Sequence, residues 1–324
     1  MTRRPLSLAV RRKLAIFLSK VQSSQLKKYG RLKMSFYENF DFFKESRIVD
    51  SNLGIIFQGP VRDMKSLEYL ENSINQLSKL ILPDNIVVSS WKEDLQRLRK
   101  LESKCRLVIS DEQMFKNNHF KQLYSTHVGL QQFRDNGIDF VFKVRVDQCF
   151  NWKLLILFMP QLLQEFGTHR IVFMSNNSFK YRLFGLSDMF TFGAIDEMRS
   201  FWNFEEMNDQ ELKLAPDFAL WFDQESPMWS ESWLNLRYAI NQNFIFSESA
   251  WEDFIRYIEK RVIVADSRYF GHEWLKLDTN FEGSIEKMLF NEHSAKKIQE
   301  WSFMDWFGIY RGIRVSEIEV QDIL

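Results

Sequence analysis

The sequence predicts an α/β fold: a mostly parallel sheet flanked by helices. Three observations carry this expectation. Apolar runs of strand length alternate four times with stretches whose apolar residues recur at helical spacing. That alternation is the mark of a parallel sheet wrapped by helices. No low-complexity linker and no internal repeat interrupts the chain, so one continuous domain over residues 48–324 is expected.

The elements follow in order. Leu53-Gly54-Ile55-Ile56-Phe57 reads as a short buried strand ended by Gln58-Gly59-Pro60. A helix follows through Leu67, Leu70, Ile74, Leu77 and Leu80-Ile81, with Asp63 as its N-cap and Pro83-Asp84 as its break. Ile86-Val87-Val88-Ser89-Ser90 is the second strand, followed by a polar helix from about Lys92. Arg106-Leu107-Val108-Ile109-Ser110 is the third. A helix carrying Phe120, Leu123, His127, Leu130 and Phe133 stops at Asn136-Gly137. Phe140 to Gln148 is the fourth strand. Residues 154–166 read as a helix interrupted near Pro160, and Arg170 to Met174 as another strand. The second half offers a strand at Met189-Phe190-Thr191-Phe192, several helices and an aromatic stretch from Trp301 to Tyr310.

Composition narrows the class. In 324 residues, 45% are apolar and 15% aromatic, enough for a sizeable core and for a groove that stacks on sugars or bases. Cys105 and Cys149 build no disulfide framework, which suits a reducing, cytoplasmic setting. The five histidines make no zinc-binding cluster. Net charge is zero but uneven: residues 1–33 hold ten Lys or Arg and no acid, leaving 33 basic against 43 acidic residues in the remainder. Leu6, Val10, Leu14, Phe17, Leu18 and Val21 fall on one helical stripe flanked by Arg4, Arg11, Arg12, Lys13 and Lys20. This reads as an N-terminal amphipathic helix for an anionic membrane surface, with docking on the protein's own acidic body as the alternative. Arg11-Arg12-Lys13 breaks the apolar stretch too early for a signal peptide, and no run is long enough to span a bilayer. An acidic body is a poor partner for nucleic acid.

In parallel sheets ligands bind beyond the carboxyl ends of the strands. Here those ends gather small, polar and acidic groups. Lys143, Arg145 and Asp147 alternate on the fourth strand and so share a face. A buried row of this kind must meet its own members, a metal or a charged ligand, because unpaired burial is costly; a solvated face is the alternative. Gly59, lacking a Cβ, lets backbone approach a nucleotide, or else makes a plain turn with Pro60. Gln58 and Arg62 reach base, ribose or phosphate, or are surface polar residues. Trp91 either stacks on a ligand or packs. Asp111 lies in place for a ribose hydroxyl, and Ser90 and Gln148 complete the candidate binding set.

The segments Gly54-Ile55-Ile56-Phe57-Gln58-Gly59-Pro60-Val61, Val88-Ser89-Ser90-Trp91, Phe142 to Gln148 and Leu186 to Gly193, in that order, resemble the WavE family of lipopolysaccharide synthesis proteins. The resemblance implies a glycosyltransferase of the GT-A type, which uses a nucleotide-sugar donor. It implies transfer to a lipopolysaccharide core or other lipid-linked surface-glycan acceptor, at the cytoplasmic face of the bacterial membrane. Such enzymes usually carry an Asp-x-Asp element after the fourth strand, gripping a divalent metal and the donor diphosphate. The matching positions here are Arg145 and Asp147. Either Asp147 binds Mg²⁺ or Mn²⁺ with few protein ligands, or Arg145 and Lys143 neutralise the diphosphate and metal matters less. An inverting transfer also needs a carboxylate base for the acceptor hydroxyl, and Asp188 and Glu231 are the candidates by position. A turn cap at Asp188 and a helix-dipole role at Glu231 are their structural alternatives. Two competing readings are a sugar nucleotidyltransferase, for which Gly59-Pro60-Val61-Arg62 is a meagre phosphate loop, and a non-catalytic glycan-binding protein at the membrane surface.

Overall fold

The computed structural model describes residues 52–111, 118–133, 137–180, 182–204, 230–247, 249–275 and 300–313. The basic segment 1–33, with its expected amphipathic helix, lies outside them, as does Asn136. No described helix is long and apolar enough to cross a membrane.

Seven strands form one sheet: β1 (Leu53–Gln58), β2 (Ile86–Trp91), β3 (Arg106–Ser110), β4 (Phe140–Arg145), β6 (Ile171–Met174), β7 (Phe190–Ala194) and β8 (Val262–Ala265). Their order is β3-β2-β1-β4-β7-β6-β8. β1 runs parallel to β2 and to β4, β2 to β3, and β6 to β8. Only β7 is antiparallel, paired with β4 on one side and β6 on the other. The expected mostly parallel α/β sheet is therefore present. Because β7 is reversed, its start, not its end, lies at the edge where β1 and β4 finish. Val144 pairs with Phe190 there. A second, two-stranded ribbon joins β5 (Gln148–Cys149) to β9 (Glu273–Trp274), placing a late segment over the end of β4.

The helices pack around the sheet. α1 (Met64–Leu77) starts at Asp63 in a capping box: the Asp63 carboxylate accepts from Ser66 N at 2.7 Å, and Ser66 Oγ accepts from Asp63 N at 3.1 Å. Leu67, Leu70, Ile74 and Leu77 are its buried stripe. α2 (Asn118–Leu130) crosses β1 and β2 and continues as a tight turn over Gln131–Phe133; Gly137 beyond it takes φ 61°. α3 (Trp152–Phe166) runs unbroken through Pro160, contrary to the expected interruption. Its buried stripe of Trp152, Leu155, Met159, Leu163 and Phe166 outweighs one missing backbone hydrogen bond. The polar helix expected from Lys92 is present as a short helical run over residues 92–101, α-helical only at Leu95–Leu98 and 3₁₀ on either side, with Leu98 and Leu101 as its buried apolar anchors. α4 (Ile195–Phe201), α5 (Ser230–Asn241), α6 (Ala250–Arg261) and α7 (Phe303–Tyr310) complete the described helices. The C-terminal aromatic stretch is core. Phe166 meets Trp306 edge-on at 4.9 Å, and Trp306 Nε1 donates to the Val262 carbonyl at 2.6 Å.

Ile55, Phe57, Val87, Phe142, Val144, Val172, Phe173 and Ile263 are fully enclosed. Trp152 fills the space under β1 and β4, edge-on to Phe57 at 5.6 Å and Phe142 at 6.2 Å. A closely packed sheet interior tolerates little displacement. The polar groups at the strand ends are therefore held in fixed positions.

Candidate active site

Strand ends from β1, β2, β4 and β7 meet at one edge, and the expected site residues sort into two kinds there. Some brace the edge from inside. Gln58 is buried and donates to Ser125 Oγ at 2.9 Å. The enclosed Ser90 hydroxyl lies 2.6 Å from Asp94 Oδ2 and 3.0 Å from the Gly59 carbonyl. Gln148 is buried, accepts from Arg145 N at 3.3 Å and lies 3.0 Å from His272 Nε2. Trp91 is enclosed and packs, so it offers no stacking face to a ligand.

Lys143 also differs from the expectation that it meets phosphate. It is fully buried, donates to the Asp188 backbone carbonyl, and lies 4.6 Å over the Trp202 ring. Burial pulls its pKa down to about 7, against the opposing pull of Asp188. An ammonium so enclosed holds the entry to β7 rather than a ligand.

Others face the open edge. Gly59 has φ 117°, and no atom lies within 4 Å of where a Cβ would stand. Its backbone is thus approachable from outside, in a conformation that suits glycine. The loop after it, Pro60-Val61-Arg62, is fixed by Asp94, which accepts from Val61 N at 3.1 Å, and by Arg97, which donates to the Val61 carbonyl at 2.8 Å. Arg62 is exposed on this loop. Asp111, beyond β3, is exposed and paired with Lys92.

At the end of β4, Arg145 Nε and Nη2 donate to the two oxygens of Asp147, each at 2.8 Å. The strand ends at Arg145, short of the expected Gln148, so Asp147 stands in the turn beyond it; of the three charges only Arg145 and Asp147 meet each other. Trp274 Nε1 adds a third donor to Asp147 at 3.3 Å, and Leu275 N donates to its carbonyl. Arg145 is 23% exposed, and its Nη1 has no acceptor among the described residues. His272 lies parallel on Phe150 at 4.7 Å, and burial pushes its pKa down to about 4, with Asp147 opposing.

Asp188 lies just before β7. Lys143 and Gln122 both donate to its backbone carbonyl, yet no described donor meets its carboxylate. The residue is only 5% exposed. Its charge is felt by Lys143, Arg145 and Glu231, which places it at the electrostatic centre of the edge. Glu231, in the first turn of α5, is held by Asn177 Nδ2 at 3.0 Å and Ser230 Oγ at 3.2 Å, with Arg182 4.0 Å away. Burial first, then the Asp188 charge, raises its pKa. Asn177 sits at φ 63° after β6, a left-handed conformation that Asn tolerates better than most residues.

Asp94, Gln122, Ser125, Arg182, His272 and Trp274 were not singled out from the sequence. Asp94 had a local cue, lying four residues after Ser90. The rest reach the site only through tertiary pairing.

A divalent ion at Asp147 is poorly provided for. Both oxygens are taken by the guanidinium, and among the described residues no three His, Cys, Asp or Glu side chains converge. A hard cation needs several free oxygen ligands. The described residues alone do not supply the oxygen ligands for the Mg²⁺ or Mn²⁺ expected there.

The fold is that of an α/β protein whose parallel strands end at one edge, where an arginine–aspartate pair and a second acid gather. The chain belongs to the WavE lipopolysaccharide synthesis family, whose sequence model matches residues 53–226. No curated protein matches it. Among solved structures, mannose-1-phosphate geranyltransferase from Thermus thermophilus is similar at 10% identity and TM-score 0.38, over 68% of this chain and 76% of that one. S. aureus TarS 1-349 is similar at 14% identity and TM-score 0.37, over 81% and 70%. A glycosyltransferase involved in the glycosylation of the major capsid of PBCV-1 follows at 8% identity and TM-score 0.34, over 67% and 82%.

Proposed function

We propose that the protein is a glycosyltransferase of bacterial surface-glycan assembly, moving a sugar from a nucleotide-sugar donor to a lipopolysaccharide core or other lipid-linked oligosaccharide. Family membership supports the process. The observation that carries the chemistry is the pairing, at one edge, of a partly exposed guanidinium with a buried carboxylate that no described donor meets. Sugar transfer needs both kinds of group. The bond from the anomeric carbon to the diphosphate oxygen breaks, and its electron pair leaves with the diphosphate. A cation there stabilises the developing charge. A bond forms from the acceptor hydroxyl oxygen to the anomeric carbon, and that hydroxyl's proton passes to a base.

Asp188 is that base in this reading. Glu231 is its positioning neighbour: it is already committed to Asn177 and Ser230, and burial, then the Asp188 charge, raises its pKa. Gly59 and Arg62 face the nucleotide part. Residues 1–33, with ten basic side chains, attach the enzyme to the anionic inner face of the cell membrane, where a lipid-linked acceptor resides.

The test is a panel of UDP-, GDP-, ADP- and CMP-sugars incubated with purified protein, with release of nucleotide and sugar followed by chromatography. At least one donor is hydrolysed slowly, and Asp188→Asn abolishes turnover while Glu231→Gln keeps part of it. Release of pyrophosphate from a nucleoside triphosphate, with every nucleotide-sugar left intact, would falsify the reading in favour of a nucleotidyltransferase. Sedimentation with anionic vesicles, unchanged on deleting residues 1–33, would remove the membrane attachment.

A further inference from the structure

We propose that the positive charge facing the donor's phosphates is the Arg145 guanidinium, and that donor binding needs no divalent ion. The inference rests on the transferase reading and assigns how that site meets its leaving group.

Three features of the edge point this way. First, both oxygens of the acid expected to hold a metal already accept hydrogen bonds. Nε and Nη2 of Arg145 each lie 2.8 Å from a different oxygen of Asp147, and Trp274 Nε1 adds a third donor at 3.3 Å. An incoming ion would have to displace two charge-assisted hydrogen bonds, which are roughly twice as strong as neutral ones. It would then find, among the described residues, no group of three His, Cys, Asp or Glu side chains to complete its shell.

Second, the guanidinium is built into place. Gln148 Oε1 accepts from the Arg145 backbone N at 3.3 Å, and Gln148 is itself held by His272. The Asp147 main chain is tied to the late ribbon by Leu275 N. The cluster fixes a planar fork at the end of the strand beside Gly59; Gln58, the residue before Gly59, pairs with Arg145 in the sheet register. Holding a donor group rigidly before the ligand arrives is what preorganisation requires.

Third, the fork has capacity left. Nη1 has no acceptor among the described residues, and the side chain is 23% exposed. Asp147 and Asp188 both favour its charged form. A guanidinium stays cationic at any working pH and matches phosphate oxygens geometrically. Asp147 therefore orients the cation rather than carrying a metal, and it is a positioning residue.

Calorimetry with UDP, GDP, ADP, CDP and dTDP, each in excess EDTA and again in Mn²⁺, tests this on the full chain. At least one diphosphate binds wild-type protein in EDTA, with affinity within about threefold of that in Mn²⁺. Arg145→Ala weakens binding about tenfold or more in both conditions, the scale of one lost charge-assisted contact. Asp147→Asn weakens it by a smaller factor, because the cation remains but is less firmly aimed. The wild-type comparison stands even if a variant folds poorly, and Arg145→Lys supplies a second variant that retains charge. Binding seen only with Mn²⁺, and lost in Asp147→Asn but not in Arg145→Ala, overturns the inference and leaves the transferase reading intact. Failure of every diphosphate in both conditions overturns the transferase reading and this inference with it.

Discussion

Arg145 grips both carboxylate oxygens of Asp147, two residues further along the chain, with Nε to Oδ1 and Nη2 to Oδ2 each at 2.8 Å. β4 ends at Arg145, and the turn at Val146-Asp147 brings the carboxylate back to the guanidinium, so the pair is local in sequence and stands at the end of the strand.

The fork geometry, not charge alone, sets its value. Arg145→Lys retains a cation but cannot bond both Asp147 oxygens in one plane. Affinity for the diphosphate that wild type binds should fall about tenfold, while the thermal midpoint moves little. Calorimetry beside a thermal melt checks this. Undiminished affinity would show that point charge suffices.

Gly59→Ala isolates the strand-end turn. Its φ of 117° is strained for any residue with a Cβ, although nothing within 4 Å would collide with the methyl group. The loss is therefore conformational, on the order of 1–2 kcal/mol, and urea denaturation should read it. The methyl also stands on the open side, so diphosphate binding should weaken beyond what stability explains. A variant as stable as wild type would mean that the turn relaxes to another conformation at no cost.

The sheet was legible because its strands are local apolar runs, and Asp63 capped its helix as residue chemistry required. The reversed direction of β7 was not legible, since Met189-Phe190-Thr191-Phe192 reads the same either way along a sheet. Pro160 misled, because tertiary burial of Trp152, Leu155 and Phe166 overrode a local breaker. At the site, the charged row on β4 announced itself by alternation. The inward turn of Gln58 and Lys143 did not, because their partners Ser125 and Asp188 are joined to them only by the fold, whereas Ser90 lies four residues from its partner Asp94. His272 and Trp274 reach Gln148 and Asp147 across more than a hundred residues, a separation that no local pattern encodes.

Lys143 gives stability a measurable pH dependence. Its pKa is about 7 in the folded protein against 10.5 when free, chiefly through burial. Between those values the unfolded chain binds more protons, so this group makes stability rise with pH across that window. Lys143→Met removes the linkage. The stability difference, wild type minus variant, should grow in favour of wild type from about pH 7 to about pH 9.5 in urea titrations. A difference that stays flat would mean that Lys143 titrates normally and that its enclosure is relieved in solution.

His272 makes the opposite end of the pH range informative. Its ring stacks on Phe150, and its Nε2 faces the Gln148 amide nitrogen at 3.0 Å. An amide nitrogen only donates, so Nε2 must accept and the ring proton resides on Nδ1. Protonating Nε2 would set two donors against each other. Burial already holds the folded pKa at about 4, below the free value of 6.5, with the Asp147 charge only partly compensating. A folded pKa below the unfolded one means that the unfolded chain binds more protons from pH 6.5 down to about 4, so stability is lost as pH falls through that window. Discounted for partial exposure, the loss is about 2 kcal/mol. His272→Phe preserves a ring on Phe150 and removes the proton site. It should be less stable than wild type at about pH 7 by about 1 kcal/mol, for the lost acceptor of Gln148. That deficit should shrink, or reverse, by about pH 4.5. Because Gln148 also accepts from Arg145 N, acid should loosen the guanidinium as well. Diphosphate binding by wild type should then weaken below about pH 5.5 more steeply than diphosphate binding by His272→Phe. A deficit that is constant with pH, together with parallel binding curves, would detach His272 from both the stability and the aim of Arg145.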